Sequence, residues 1–146
     1  MDNTTPAPKQ VIVMRKDLNM RKGKMVAQGA HASMAVILNL LQTEAKYYHW
    51  GAAGTTETYT YHMELHPQSP IRQWLTDKFT KICVSVDSEQ ELIDIYNKAR
   101  EANIPSALIT DSGLTEFNGV PTNTCCAVGP WHAEEIDKIT GHLKLL

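Results

Sequence analysis

An apolar strand that runs through a cationic turn into a long helix constrains this chain more than any other stretch. Gln10-Val11-Ile12-Val13-Met14 forms the body of a strand predicted over 10–16, Arg15 to Lys24 make a charged turn, and 22–45 carry a helical pattern. Met25, Ala32, Val36, Ile37, Leu40 and Leu41 supply that helix's apolar side, while Lys24, Gln28 and His31 stand at i, i+4 and i+7 on another face. Its first turn is electrostatically inverted. Helix N-termini favour Asp or Glu, yet this one opens on Arg21, Lys22 and Lys24, each costing roughly 0.3–1 kcal/mol unless an anion answers it. A local rule broken so often in one turn marks a working site, and strand-to-helix junctions are where anions bind. A solvated charged loop is the plainer reading of these residues, and a packing role the plainer one for His31.

The remaining pattern is mostly that of an α/β domain. Residues 44–70 break the rhythm, and from Tyr59 to Leu65 the period is two, which predicts a half-buried strand in a hairpin or flap. His62, Glu64 and His66 alternate along it, but alternation without a reinforcing motif is weak evidence for a metal. The aromatics there can stack on bases or pack onto the domain. A short helix at 71–75 and a strand at 79–86 come next. Ser88 and Glu91 have capping-box spacing and open a helix that stops near Asn103. Strands at 104–110 and 124–129 flank a loop from Ser112 to Asn123, and a last helix, 133–140, ends at Gly141. Strand–helix–strand–helix–strand order predicts parallel crossovers, whose carboxyl ends share the edge where open sheets place ligands. Asp111 therefore falls beside the cationic turn as its natural carboxylate partner.

Composition narrows the function classes. With 146 residues, 42% apolar and 21% charged, the chain reads as one globular domain, 10–146, behind a disordered lead-in at 1–9. No apolar run is long enough to span a membrane. Three cysteines, Cys83, Cys125 and Cys126, lack ligand spacing and read as reduced core thiols of a cytoplasmic protein. A net charge of −2 opposes whole-surface nucleic-acid affinity, so the local crowding of Lys9, Arg15, Lys16, Arg21, Lys22 and Lys24 matters more than the sum. Neither a Gly-x-Ser-x-Gly elbow, a phosphate-binding Gly-rich loop nor a zinc His-Glu-x-x-His is present.

Arg15 through Ala32, Asp111-Ser112-Gly113-Leu114-Thr115, Thr124 through Pro130 and Ile136 through Leu145 together resemble the signature of the type 2, archaeal/eukaryotic-type, peptidyl-tRNA hydrolases. The resemblance covers about 9–43 and 71–146. It implies a compact three-layer α/β sandwich around a mixed four-stranded sheet, with 44–70 as an extra aromatic-rich insert that gates substrate or makes a homodimer contact. It also implies hydrolysis of the ester between peptide and tRNA, without metal or cofactor. On that resemblance Lys24, Asp111 and Thr115 are the functional trio, with His31 beside them. Asp111 would orient Lys24 or accept a proton through water, Lys24 would stabilise an oxyanion or a phosphate, and Thr115 would position water. Arg15, Lys16, Arg21 and Lys22 would hold tRNA phosphates, with Asp17, Gln28 and Thr124 in support. Gly-Lys-Gly-Lys becomes Arg21-Lys22-Gly23-Lys24, Ser112 stands in place of Ala, and Glu116 adds a negative charge near the phosphate path. A tRNA-binding module without catalysis and an adaptor acting through 44–70 are the competing readings.

Overall fold

Strand β1, Lys9–Arg15, lies in the middle of everything else. In a computed structural model describing residues 5–146, it pairs in parallel with β4, Lys81–Val86, and antiparallel with β6, Thr122–Trp131. The other side of β6 is taken, again antiparallel, by β5, Ser106–Asp111, which gives the order β4-β1-β6-β5. β4, β1 and β5 therefore run one way, as the connectivity predicts, with β6 reversed between β1 and β5. The expected lead-in falls partly on residues 1–4, outside the described residues, and Lys9 already belongs to β1.

Alternation along β1 divides the core in two. Val11 and Val13, with Cys126 and Val128, meet helix α3, Glu89–Glu101, and helix α4, Ala133–Thr140. Ile12 and Met14, with Cys125 and Ala127, meet Ala32 and Val36 of helix α1, Lys22–Leu40. Helix, sheet and helices make three layers, and the short helix expected at 71–75 is α2, Pro70–Thr76. Ser88 caps α3 by accepting from the Glu91 N–H at 3.1 Å, while the Glu91 carboxylate accepts from the Asp87 N–H at 2.8 Å, one residue outside the usual box. Among the described residues, no helix is long and apolar enough to cross a membrane.

Three expectations are corrected. First, α1 ends at Leu40 rather than 45. Leu41 turns extended, and strand β2, Gln42–His49, pairs antiparallel with β3, Thr55–His62, around a 3-10 turn, Gly51–Ala53. Thr, Tyr and their cross-strand neighbours favour a ladder over another helical turn. Second, this ribbon is not half-buried: every residue from Gln42 to Tyr61 is exposed, because the ribbon stands clear of the domain. Third, Cys83 is exposed. It sits on edge strand β4, whose α1-side face α1 leaves uncovered, whereas Cys125 and Cys126 on inner strand β6 are buried as expected. Burial pushes the Cys125 thiol up to about 11 and raises that of Cys126 as well.

Candidate active site

The carboxyl ends of β1 and β5 and the start of β6 meet at one sheet edge, and the N-terminus of α1 abuts it. Arg21 occupies the N-cap position without a capping side chain, and no acid lies in the first turn. The compensating carboxylate comes from another element. Lys24 Nζ donates to Asp111 Oδ1 at 2.8 Å and to Thr115 Oγ1 at 3.2 Å, with the Lys24 and Asp111 side chains only 15% and 13% exposed.

Asp111 is held from three directions. Gln28 Nε2 donates to the same Oδ1 at 3.2 Å, and the Gly113 N–H donates to Oδ2 at 2.8 Å. Hydrogen bonding from Lys24 holds the carboxyl below its usual range, opposed by burial and aided by Gly113. Gly113 is obligatory at its φ of +80°, since a Cβ there would run into the Val120 carbonyl.

Gln28 is itself oriented. Thr124 Oγ1 donates to Gln28 Oε1, which leaves the amide nitrogen facing Asp111, and Cys125 Sγ donates to the Gln28 carbonyl at 3.3 Å. Adjacent strand residues ordinarily face opposite ways. Here Ile109 pairs with Cys125 but Thr110 with Asn123, so Thr124 is the extra residue of a β-bulge, and both Thr124 and Cys125 reach α1. Phe117 completes the wall, its ring centroid 5.6 Å from Lys24 Nζ. Sequence reasoning missed the Gly113 N–H and Phe117. Gly113 carried a usable signal in the Asp-Ser-Gly turn, while Phe117 carried none.

Lys24, Gln28, Asp111, Thr115 and Thr124 thus come together. His31 does not: it is exposed and forms no hydrogen bond among the described residues. It shares a helix face with Lys24 but stands seven residues, about 10 Å along the axis, further from the edge. Arg15 is also turned away from the surface. Its side chain is 10% exposed, and the guanidinium grips both Asp17 oxygens, at 3.1 and 2.6 Å, and the Asn123 carbonyl, at 3.1 Å. Arg15 in turn holds the Asp17 carboxyl below its usual range. Lys16 and Lys22 are exposed and form no ion pair among the described residues, while the exposed Arg21 meets Glu116 at 3.0 Å.

A mixed α/β sandwich whose sheet edge holds a charge-paired lysine, beside a turn in which Lys16 and Lys22 form no ion pair among the described residues, defines the class of protein. The particular family follows from comparison. A family model described as peptidyl-tRNA hydrolase PTH2 matches residues 8–146, and the chain belongs to that family. It is similar to a peptidyl-tRNA hydrolase of Methanocaldococcus jannaschii, 41% identical over 94% of this chain and 99% of the relative. Relatives of the same description from Sulfurisphaera tokodaii and Methanothermobacter thermautotrophicus are 38% and 39% identical, over 96% and 94% of this chain and 99% of each relative.

Proposed function

We propose that residues 10–146 act as one peptidyl-tRNA hydrolase domain in the cytoplasm, cleaving the ester between a peptide and the 3′-terminal ribose of tRNA. Water adds to the ester carbonyl, the tetrahedral oxyanion collapses, and the peptide leaves as a carboxylate while the ribose oxygen regains a proton. The Lys24–Asp111–Thr115 cluster, at the edge shared with the cationic turn, carries this reading.

Lys24 supplies the positive charge that a developing oxyanion needs, in a fixed place and largely out of water. Asp111 orients that ammonium and offsets the cost of a cation at a helix start. With its acidity raised by three donors, Asp111 is a poor acceptor for a proton from water, so orientation is its role rather than general base. Thr115, bonded to Lys24 and exposed, positions the attacking water. Gln28 and Thr124 keep Asp111 in place. Lys16 and Lys22 hold phosphates, Arg21 is engaged by Glu116 instead, and Arg15 and Asp17 brace the turn that carries them. His31 has no part in the ester step. A two-copy assembly belongs to the same reading.

Single-turnover release of peptide from diacetyl-lysyl-tRNA tests the proposal. Lys24→Ala should slow it about 10²–10³-fold, the usual loss on removing an oxyanion donor. Near-wild-type release by this variant would refute the oxyanion role of Lys24, and tRNA binding by wild type without any release would refute the hydrolase reading.

A further inference from the structure

On the flank of α1 away from Asp111 lies an apolar groove of about 740 Å³. Met25, Val26, Met34 and Ile37 of α1 form one wall, with Trp74 and Phe79 on the other. Val26 and Met34 are 73% and 57% exposed, so this stripe is unpartnered among the described residues. The charged side chains in the lining are Lys22 and Lys81, both cations. Lys81 Nζ rests 3.2 Å from the Phe79 ring centroid and forms no ion pair among the described residues.

The ribbon is the matching piece. Its register places Thr43 opposite Tyr61, Ala45 opposite Tyr59, Tyr47 opposite Glu57 and His49 opposite Thr55, so this face carries three tyrosines, Tyr47, Tyr59 and Tyr61, and a single carboxylate, Glu57. The other face carries one tyrosine, Tyr48, among Glu44, Lys46, Thr56, Thr58 and Thr60. Such a ribbon is two-faced in sequence yet exposed on both sides, with Tyr61 63% exposed. An isolated two-stranded hairpin is marginal in water, and its tyrosines gain most from burial against an apolar wall that leaves their hydroxyls wet. Lengths agree: the groove follows α1 from residue 22 to 37, about 22 Å at helical rise, and an eight-residue strand spans about 23 Å.

We propose that two copies of this chain exchange ribbons, the Tyr47–Tyr59–Tyr61 face of each seating in the α1 groove of the other with its net negative charge against Lys22 and Lys81. Two identical contacts related by a two-fold axis close the assembly. This rests on the two-copy reading above and adds the surface that makes it; it does not depend on the hydrolase reading.

Light scattering on the full chain should give twice the chain mass, and the mass should halve in Tyr47→Ser/Tyr61→Ser, with helix and sheet content by circular dichroism unchanged. Cys83 lines the groove and is exposed, while Cys125 and Cys126 are buried, so cross-linking reports the seat directly. Ala45→Cys, treated with a short bismaleimide, should give a covalent dimer that disappears when Cys83→Ser is added. Lys46→Cys, on the opposite face, should give none. A dimer that survives the tyrosine substitutions overturns ribbon exchange and leaves the two-copy reading standing, while a wild-type monomer overturns both. Loss of tRNA affinity in the tyrosine variant at unchanged mass identifies the ribbon as an RNA contact and also overturns the exchange.

Discussion

Asp111 accepts hydrogen bonds on both oxygens, and its value as an acid follows from who donates them. Lys24 is the main cause of its lowered pKa, so the folded carboxyl stays ionised where an unfolded one, near about 3.9, begins to protonate. By linkage the pair's contribution to stability is fully present above that unfolded value and is lost as pH falls through the lower, folded one. The gap in melting temperature between wild type and Asp111→Asn should therefore be constant from neutral pH down to mildly acidic pH and close below it. A gap that closes already between pH 7 and 5 would contradict the assigned charge state. Thr124 acts one step further out. Thr124→Val preserves shape but leaves Gln28 Oε1 buried without its donor, a loss of about 1–3 kcal/mol. It should also free the amide to flip, which lowers kcat while KM is unchanged. Unaltered kcat in a destabilised Thr124→Val would make the bond structural only.

At the scale of elements, the site is a junction of α1, the β5–β6 loop and the bulge in β6, and these differ in how far sequence discloses them. The strand, cationic turn and helix are legible because period and charge are local properties. Asp111 is legible because connectivity alone sends the ends of β1 and β5 to one edge. The bulge at Thr124 is not, since one extra residue in a ladder leaves the alternation of a buried strand unchanged to the eye. Arg15 reads as a surface cation only until Asp17, two residues on, is seen to close a ring with it. The end of α1 is not legible, because Leu41, Ala45 and the intervening polar residues suit another helical turn as well as a ribbon. The β5–β6 loop offers a test at this scale. Gly113→Ala forces a side chain into a left-handed position against the Val120 carbonyl, at a cost of order 1–3 kcal/mol. It should also withdraw the N–H from Asp111 and cut peptidyl-tRNA turnover, measured beside urea unfolding. Turnover and stability both at wild-type level would mean the loop is held by something other than this turn.

The whole molecule carries a net charge of −2, so attraction for a polyanion has to come from where its cations stand rather than from their number. Lys16 and Lys22 are exposed and unpaired among the described residues, but Arg21 is divided between solvent and Glu116, whose side chain is the more buried of the two. Glu116 holds Arg21 against the β5–β6 loop, and a guanidinium neutralised in this way has less charge to offer a phosphate. Surface pairs of this kind contribute little to stability, about 0–1 kcal/mol, so their removal reads out in binding instead. Glu116→Gln releases Arg21 and should steepen the fall of tRNA affinity with salt by about 0.7–0.9 in the log–log slope, the contribution of one added phosphate contact. Lys22→Ala should flatten that slope by a similar amount, and the double variant should return it to the wild-type value. Equal slopes for Glu116→Gln and wild type, across the same salt series, would show that Arg21 already reaches the phosphate with Glu116 in place.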